Sequence, residues 1–356
     1  MFDFDYEALR AIGLTQYLIN QLHALAEPPR PGSALMRIVE VQRDHLTVHD
    51  GHGERQARAL PRLTAMLQAH ADALAVGDWV VAETHAGEEC WIATRLEPLT
   101  QLARRANDGR RQMLASNVDT ALLLMGLDLD YNPRRLERYL ALTQAAGLEA
   151  VAVLTKADVG DAVEQRMAEL HARLPRRIPV LALNGQDASA REALAPWLGA
   201  GQTLVLLGSS GAGKSTLSNT LLMAEAQLTG GVRRGDGRGR HTTTARSLHC
   251  LPGGACIIDT PGLRTWRPDA DETEVAASFD DIAALAGRCR FRDCRHRDEP
   301  GCAVRETVPA DRLLNYHKLL REARRGQQTA LERKAETAKW KAIGKAGRAR
   351  GEEKRR

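Results

Sequence analysis

Two hydrophobic rhythms divide the chain. From Ala34 to about Pro98 apolar and polar positions alternate with a period close to two. ALMRIVEVQ, DHLTVHD, GDWVVAE and CWIATRLE each read as a short strand, with Gly- and Asp-bearing turns between them. A stretch of about 65 residues with this pattern predicts a small all-β unit the size of an OB-type barrel. Around Asp119 the pattern changes to continuous apolar runs (TALLLM, AVAVL, IPVLAL, TLVLLG, ACIID) that alternate with helical stretches such as PRRLERYLALTQAAG and GKSTLSNTLL. Strands apolar on both faces, alternating with helices, predict a parallel sheet covered on both sides. Ahead of the barrel, Tyr6–Leu25 predicts one helix, followed by the linker EPPRPG. Beyond Arg267 the chain turns helical and increasingly basic. From about Gly344 it carries too little apolar surface to fold. The expected divisions are 1–32 (helix and linker), 33–100 (barrel), 101–268 (α/β domain), 269–325 (a Cys/His-bearing domain) and 326–356 (basic tail).

Composition narrows the class. The 356 residues are 43% apolar and 27% charged, which fits a globular protein of two or three domains and excludes a wholly disordered chain. Aromatics are only 4%, so the cores must rest on Leu, Val, Ile and Ala. No run approaches the ~18 apolar residues of a membrane span. The acidic start MFDFDYEALR is unlike a secretory signal, so a cytoplasmic location is expected. The net charge of +5 is uneven: Arg321–Arg356 holds thirteen Lys/Arg against five Glu, a net +8, which leaves −3 for the rest. A basic tail points to a polyanionic partner.

The chemistry starts at Gly208–Thr216, GSSGAGKST, which follows the strand TLVLL and opens a helix. This is the phosphate-loop pattern in its required strand–loop–helix setting. Gly208, Ser209, Ser210, Gly211, Ala212 and Gly213 bring backbone N–H groups onto phosphate oxygens. Lys214 adds a point charge, Ser215 can hold Mg²⁺, and Thr216 continues the helix. The strand AVAVL runs into Thr155-Lys156-Ala157-Asp158. A carboxylate there can accept both donors of the guanine edge, which adenine lacks, so beside a phosphate loop it predicts GTP. Alone, T-K-x-D also suits a helix cap, and Thr155 stands where Asn is usual. Asp259-Thr260-Pro261-Gly262 ends the strand ACIID. Asp259 would hold Mg²⁺ through water and the Gly262 N–H would sense the γ-phosphate, although such a sequence also makes a plain turn. Thr242, Thr243 and Thr244 supply a switch threonine, with Thr243 taken as the catalytic candidate.

The order along the chain is base motif, phosphate loop, switch threonine, DTPG. Ordinary GTPases place the base motif last, so a circularly permuted sheet is predicted. The second switch then leads directly into the C-terminal domain, a route for coupling. Leu263 follows Gly262 where many GTPases carry a water-orienting Gln. Slow intrinsic hydrolysis that needs an activator is expected, with His241 a candidate group.

Cys289, Cys294, His296 and Cys302 give C-x4-C-x-H-x5-C. Three thiolates and one imidazole complete a tetrahedral set with no open position, which predicts a structural zinc. Cys250 and Cys256, flanking a turn, read as buried apolar residues.

With these motifs in hand, the chain resembles the RsgA (YjeQ/YloQ) family of small-subunit-dependent GTPases from about Ala34 to Leu320. The likeness rests on GDW at 77–79, NVD at 117–119, KAD at 156–158, GSSGAGKST, GRHTTT at 239–244, DTPG and CRFRDCRHRDEPGC at 289–302. It implies an OB-fold, a permuted P-loop GTPase domain and a zinc domain that bind the small ribosomal subunit and its rRNA. It also implies a role late in subunit maturation, with hydrolysis stimulated by the subunit. Thr155 and Ala182-Leu183-Asn184, where a Ser-Ala type purine loop is usual, depart from the pattern. The expectation is a monomeric GTP hydrolase using Mg²⁺ and one structural Zn²⁺, without membrane contact, working with the subunit and other assembly factors. The competing expectation is an RNA-binding assembly factor whose GTP site switches with negligible turnover. An ATP-dependent kinase is disfavoured by Asp158.

Overall fold

A computed structural model of the chain describes residues 4–26, 29–30, 32–42, 45–84, 89–105, 110–228, 246–251, 253–260, 267–269 and 271–327. Two short helices, α1 (Tyr6–Ala11) and α2 (Gln16–His23), replace the single predicted helix. The break falls at Gly13, whose φ of 98° no helix accommodates. Asp5 and Thr15 cap the two pieces.

The barrel comprises β1 (Ala34–Val41), β2 (Leu46–His49), β3 (Glu54–Ala59), β4 (Trp79–Thr84) and β5 (Cys90–Arg95), with α3 (Pro61–Ala69) between β3 and β4. The strands run β1-β2-β3-β5-β4, and a β1–β4 pairing closes the ring. Only β3–β5 is parallel. Alternation hides β3 because, of ERQARA, only Ala57 is buried.

The hairpin β6 (Gln101–Arg105) and β7 (Arg111–Ser116) leads into the α/β domain, and β14 (Arg267–Pro268) adds to its edge. The domain then runs β8 (Thr120–Gly126), α4 (Pro133–Ala145), β9 (Glu149–Thr155), α5 (Val163–Arg173), β10 (Val180–Ala182), α6 (Ser189–Leu194), β11 (Thr203–Gly208), α7 (Lys214–Leu228), β12 (Ser247–Cys250) and β13 (Cys256–Asp259). The order β10-β9-β8-β11-β13 is parallel throughout, as the apolar runs predicted. Antiparallel β12 follows and pairs with β1 at Ser247 and Glu40, joining barrel and α/β sheet into one hydrogen-bonded system.

That junction is held by a buried cation. Arg37 of β1 is fully buried, with Nη2 donating to Thr203 Oγ1 (2.9 Å) and Asn117 O (3.0 Å) and Nε to Gly77 O (3.4 Å). Its guanidinium also lies over the Trp79 ring. The GDW triplet is therefore structural. A Cβ on Gly77 would sit 2.1 Å from the Ser116 carbonyl oxygen, Asp78 accepts from Ala75 N and Ser116 Oγ, and Trp79 fills the core.

The C-terminal lobe is built from α8 (Glu272–Ala276), α9 (Asp280–Ala286), α10 (Ala303–Thr307) and α11 (Ala310–Gln327) around Val275, Phe279, Val304 and Leu319. It packs on α4 through a buried ionic cluster. Arg312 donates to Glu137 Oε1 (2.7 Å) and forms two bonds to Asp281 (2.6 and 2.7 Å), and Asn315 donates to Glu137 Oε2 (2.7 Å).

Candidate functional site

The carboxyl ends of β9, β8, β11 and β13 lie side by side, and the predicted nucleotide residues sit on them. Past β11 the backbone turns through Gly211 (φ 87°) and Gly213 (φ 86°), values that L side chains resist, before α7 begins at Lys214. Gly208 has no room either, since a Cβ there would lie 2.7 Å from Leu124 O. Ala212 is buried beneath the loop, while Ser210, Ser215 and Thr216 face outward.

Lys214 is only 6% exposed. Its Nζ donates to Gly208 O (3.0 Å) and Ser209 O (2.7 Å), so the ammonium is folded into the loop that a phosphate would fill. Burial lowers its pKa from the usual lysine value, opposed by the carboxylates of Asp259 and Asp130.

Asp259, at the end of β13, accepts from Ser215 Oγ at 3.3 Å through Oδ2, while its buried Oδ1 has no hydrogen-bond partner among the described residues. Burial raises its pKa. An orphaned carboxylate oxygen beside a serine hydroxyl, at a phosphate loop, is an all-oxygen donor set that suits Mg²⁺. The adjacent Thr260 hydroxyl is tied to Leu206 O (2.6 Å), fixing the strand end. Gly262, Leu263, His241, Thr243 and its threonine neighbours lie outside the described residues.

The base motif follows β9. Thr155, the departure from Asn, is buried and donates to Ala212 O at 2.9 Å, which ties the base strand to the phosphate loop. Lys156 has a left-handed φ of 61° and pairs with Asp128 at 2.6 Å. Ala157 N donates to Leu183 O, bringing the Ala182–Asn184 segment alongside. Asp158 is exposed and makes no hydrogen bond among the described residues, so its carboxylate is free to accept from a ligand. Its place as a helix cap is also not used, because α5 begins at Val163 without a side-chain cap.

Sequence reasoning missed Asp130. It sits in the loop after β8, accepts from Ser209 Oγ at 2.6 and 2.7 Å, and pairs with Arg135 in the first turn of α4. The signal was present in LDLDYNPRR: acidic residues at the carboxyl end of a buried strand, ahead of a helix capped by Asn132.

In the C-terminal lobe the four predicted metal ligands converge. Their ligand atoms all lie within 4.8 Å of one another. Cys289 Sγ and Cys302 Sγ are 3.9 Å apart, and His296 Nδ1 is 3.6 and 3.5 Å from them. Tetrahedral zinc with ordinary bond lengths would require about 3.8 Å between sulfurs and about 3.6 Å from sulfur to nitrogen. The donor set and spacing therefore fit Zn²⁺. Glu299 accepts from the N–H groups of Arg295 (3.0 Å) and Arg297 (2.8 Å), and His317 Nε2 meets His296 O (3.1 Å), holding the ligand loop in place.

Base motif, phosphate loop and acidic strand end share one edge of the sheet although the base motif comes first along the chain, and this defines a circularly permuted P-loop GTPase domain, with an OB-like barrel before it. The RsgA GTPase family model matches residues 96–268. The Small ribosomal subunit biogenesis GTPase RsgA of Xanthomonas oryzae pv. oryzae (strain PXO99A) is 44% identical over 323 residues, covering 88% of each chain. That of Xanthomonas axonopodis pv. citri (strain 306) is 42% identical over the same span and coverage. The chain belongs to the RsgA GTPase family. Among solved structures, YjeQ from Thermotoga maritima superposes with a TM-score of 0.59 at 23% identity, covering 82% of this chain and 98% of that one. YloQ, a circularly permuted GTPase, gives 0.54 at 22%, covering 83% and 97%. At these identities the structural likeness is one of fold.

Thr155→Val removes one hydroxyl–carbonyl bond while keeping the side-chain shape. Losing a neutral bond of about 1 kcal/mol should speed amide exchange in residues 209–214 roughly fivefold, read by hydrogen-exchange mass spectrometry. Unchanged exchange would show that the tie does not brace the loop.

Proposed function

We propose that this chain is a GTP hydrolase that binds the small ribosomal subunit and assists its late maturation. One observation carries the reading. In a chain so similar to curated small-subunit biogenesis GTPases, the exposed Asp158 carboxylate, the Lys214 cradle and the Ser215–Asp259 pair lie at the carboxyl edge of one parallel sheet, past β9, β11 and β13. Asp158 would accept from the guanine edge, with the Lys156 stem packing beside it. The N–H groups of 209–216 would bind the phosphates, and Lys214 would leave its own loop carbonyls for the β- and γ-oxygens. Ser215 and Asp259 would hold Mg²⁺, whose chemistry is to neutralise developing charge on the phosphate oxygens. Gly262 and Thr243 would complete the γ-phosphate contacts, with His241 the candidate to orient water. Zinc held by Cys289, Cys294, His296 and Cys302 would fix the C-terminal lobe. The protein would act in the cytoplasm. Among the described residues no helix is long and apolar enough to cross a membrane.

Steady-state GTP hydrolysis measured with and without purified small subunits tests the proposal. Stimulation by small but not large subunits, abolished in Lys214→Ala, is expected. Tight GTP binding without any stimulation would favour a binding switch of negligible turnover. Asp158→Ala should lower GTP affinity about 10- to 100-fold and leave ATP affinity unchanged, as expected for losing a charged double acceptor. An equal loss for both nucleotides would refute the base assignment.

Metal analysis of purified protein should give about one zinc per chain, lost together in the Cys294→Ser, His296→Ala double variant. Zinc retained by that variant would place the metal elsewhere.

A further inference from the structure

Cys250 and Cys256 have no part in the nucleotide site or the metal cluster, yet their placement is unlike that of two incidental core thiols. They are register partners across the antiparallel pair β12–β13, and their sulfurs are 3.5 Å apart. Leu251 N donates to Ala255 O, so the next pair inward, Cys250–Cys256, is a non-hydrogen-bonded pair; Cys256 N turns the other way, to Gln202 O. At such a pair the Cα atoms approach to about 4.5 Å with both side chains on one face, at the short end of the range a disulfide tolerates. Cys256 is fully buried and Cys250 half-buried, so an oxidant from solvent meets Cys250 first.

We propose that Cys250 and Cys256 form a reversible thiol–disulfide site, oxidised by small-molecule disulfides. Arg37 supplies a charge that favours the resolving thiolate, Cys256. Its guanidinium is fully buried and makes no ion pair with a carboxylate among the described residues. The Cys250 thiol bonded to Cys256, and then the Arg37 charge, hold the Cys256 thiol below the usual range. That same bond and burial push the Cys250 thiol up. In the first step Cys250, the sulfur that solvent reaches, loses its proton to hydroxide and attacks one sulfur of the oxidant RSSR. The oxidant's S–S bond breaks and RS⁻ leaves, taking a proton from water. The Cys256 thiolate then attacks the Cys250 sulfur and expels the second RS⁻, which is protonated by water. The pair loses two electrons and the oxidant becomes two thiols. With Cys250 within reach of solvent, small-molecule thiols can reduce the bond again by the reverse exchange. It would staple the hairpin that links the barrel, through β1–β12, to the strand ending in Asp259.

The test uses the full zinc-loaded chain and glutathione disulfide. Trypsin cleavage after Arg246 and Arg264 releases residues 247–264, which hold both cysteines. After oxidation this peptide should lose two hydrogens by mass spectrometry, regain them with dithiothreitol, and carry no glutathione. Cys256→Ser should stall with one glutathione on Cys250. The proposal fails if the wild-type peptide stays reduced while the same chain unfolded in urea is oxidised. It also fails if Cys250 keeps its glutathione in the wild type, or if either cysteine bridges to Cys289, Cys294 or Cys302.

Discussion

A buried ammonium organises the nucleotide edge of this molecule. Lys214 is pinned by the carbonyls of Gly208 and Ser209 and flanked by Asp130 and Asp259. An amine in that position is tolerated only because two acceptors and two nearby carboxylates offset its loss of water. Each of those groups fixes something else. The carbonyls belong to the turn that Gly211 and Gly213 complete, Asp259 ends β13, and Asp130 bonds both the phosphate loop and the start of α4. A bound phosphate would take over the role of the loop carbonyls, so the loop conformation and the anion are alternatives for one cation.

The Asp130 contact gives the phosphate loop a second neighbour. Asp130 bonds Ser209 on one side and Arg135 of α4 on the other. Two residues along, Glu137 of the same helix is buried against Arg312 and Asn315 of α11, with Arg173 nearby. The sequence pointed to the covalent link after DTPG as the path into the C-terminal lobe. The packing adds a non-covalent one through α4. A buried ionic cluster is intolerant of half-measures, since removing one partner leaves an unpaired charge. The lobe and α4 should therefore move together.

Legibility followed the local chemistry. The parallel strands were readable because full burial writes itself as continuous apolar runs, and β11 matches TLVLLG residue for residue. The metal ligands were readable because all four lie within fourteen residues. Elements whose burial is partial were not: β3 buries only Ala57, and the β6–β7 hairpin is rich in Arg and Gln. Long-range partnerships were hidden for a different reason. Nothing local marks Asp130 as a partner of Ser209, seventy-nine residues away, or Arg37 as the tie between barrel and sheet. Thr155 looked like a weakened motif, and its bond to Ala212 shows a hydroxyl tying the base strand to the phosphate loop.

On the proposed function, GTP at this edge would favour attachment to the small subunit and hydrolysis would release the chain. Co-sedimentation of the chain with purified small subunits, in a non-hydrolysable GTP analogue and in GDP, tests it most directly. Retention with the analogue and release with GDP are expected. Equal retention in both, or equal retention on large subunits, would contradict it.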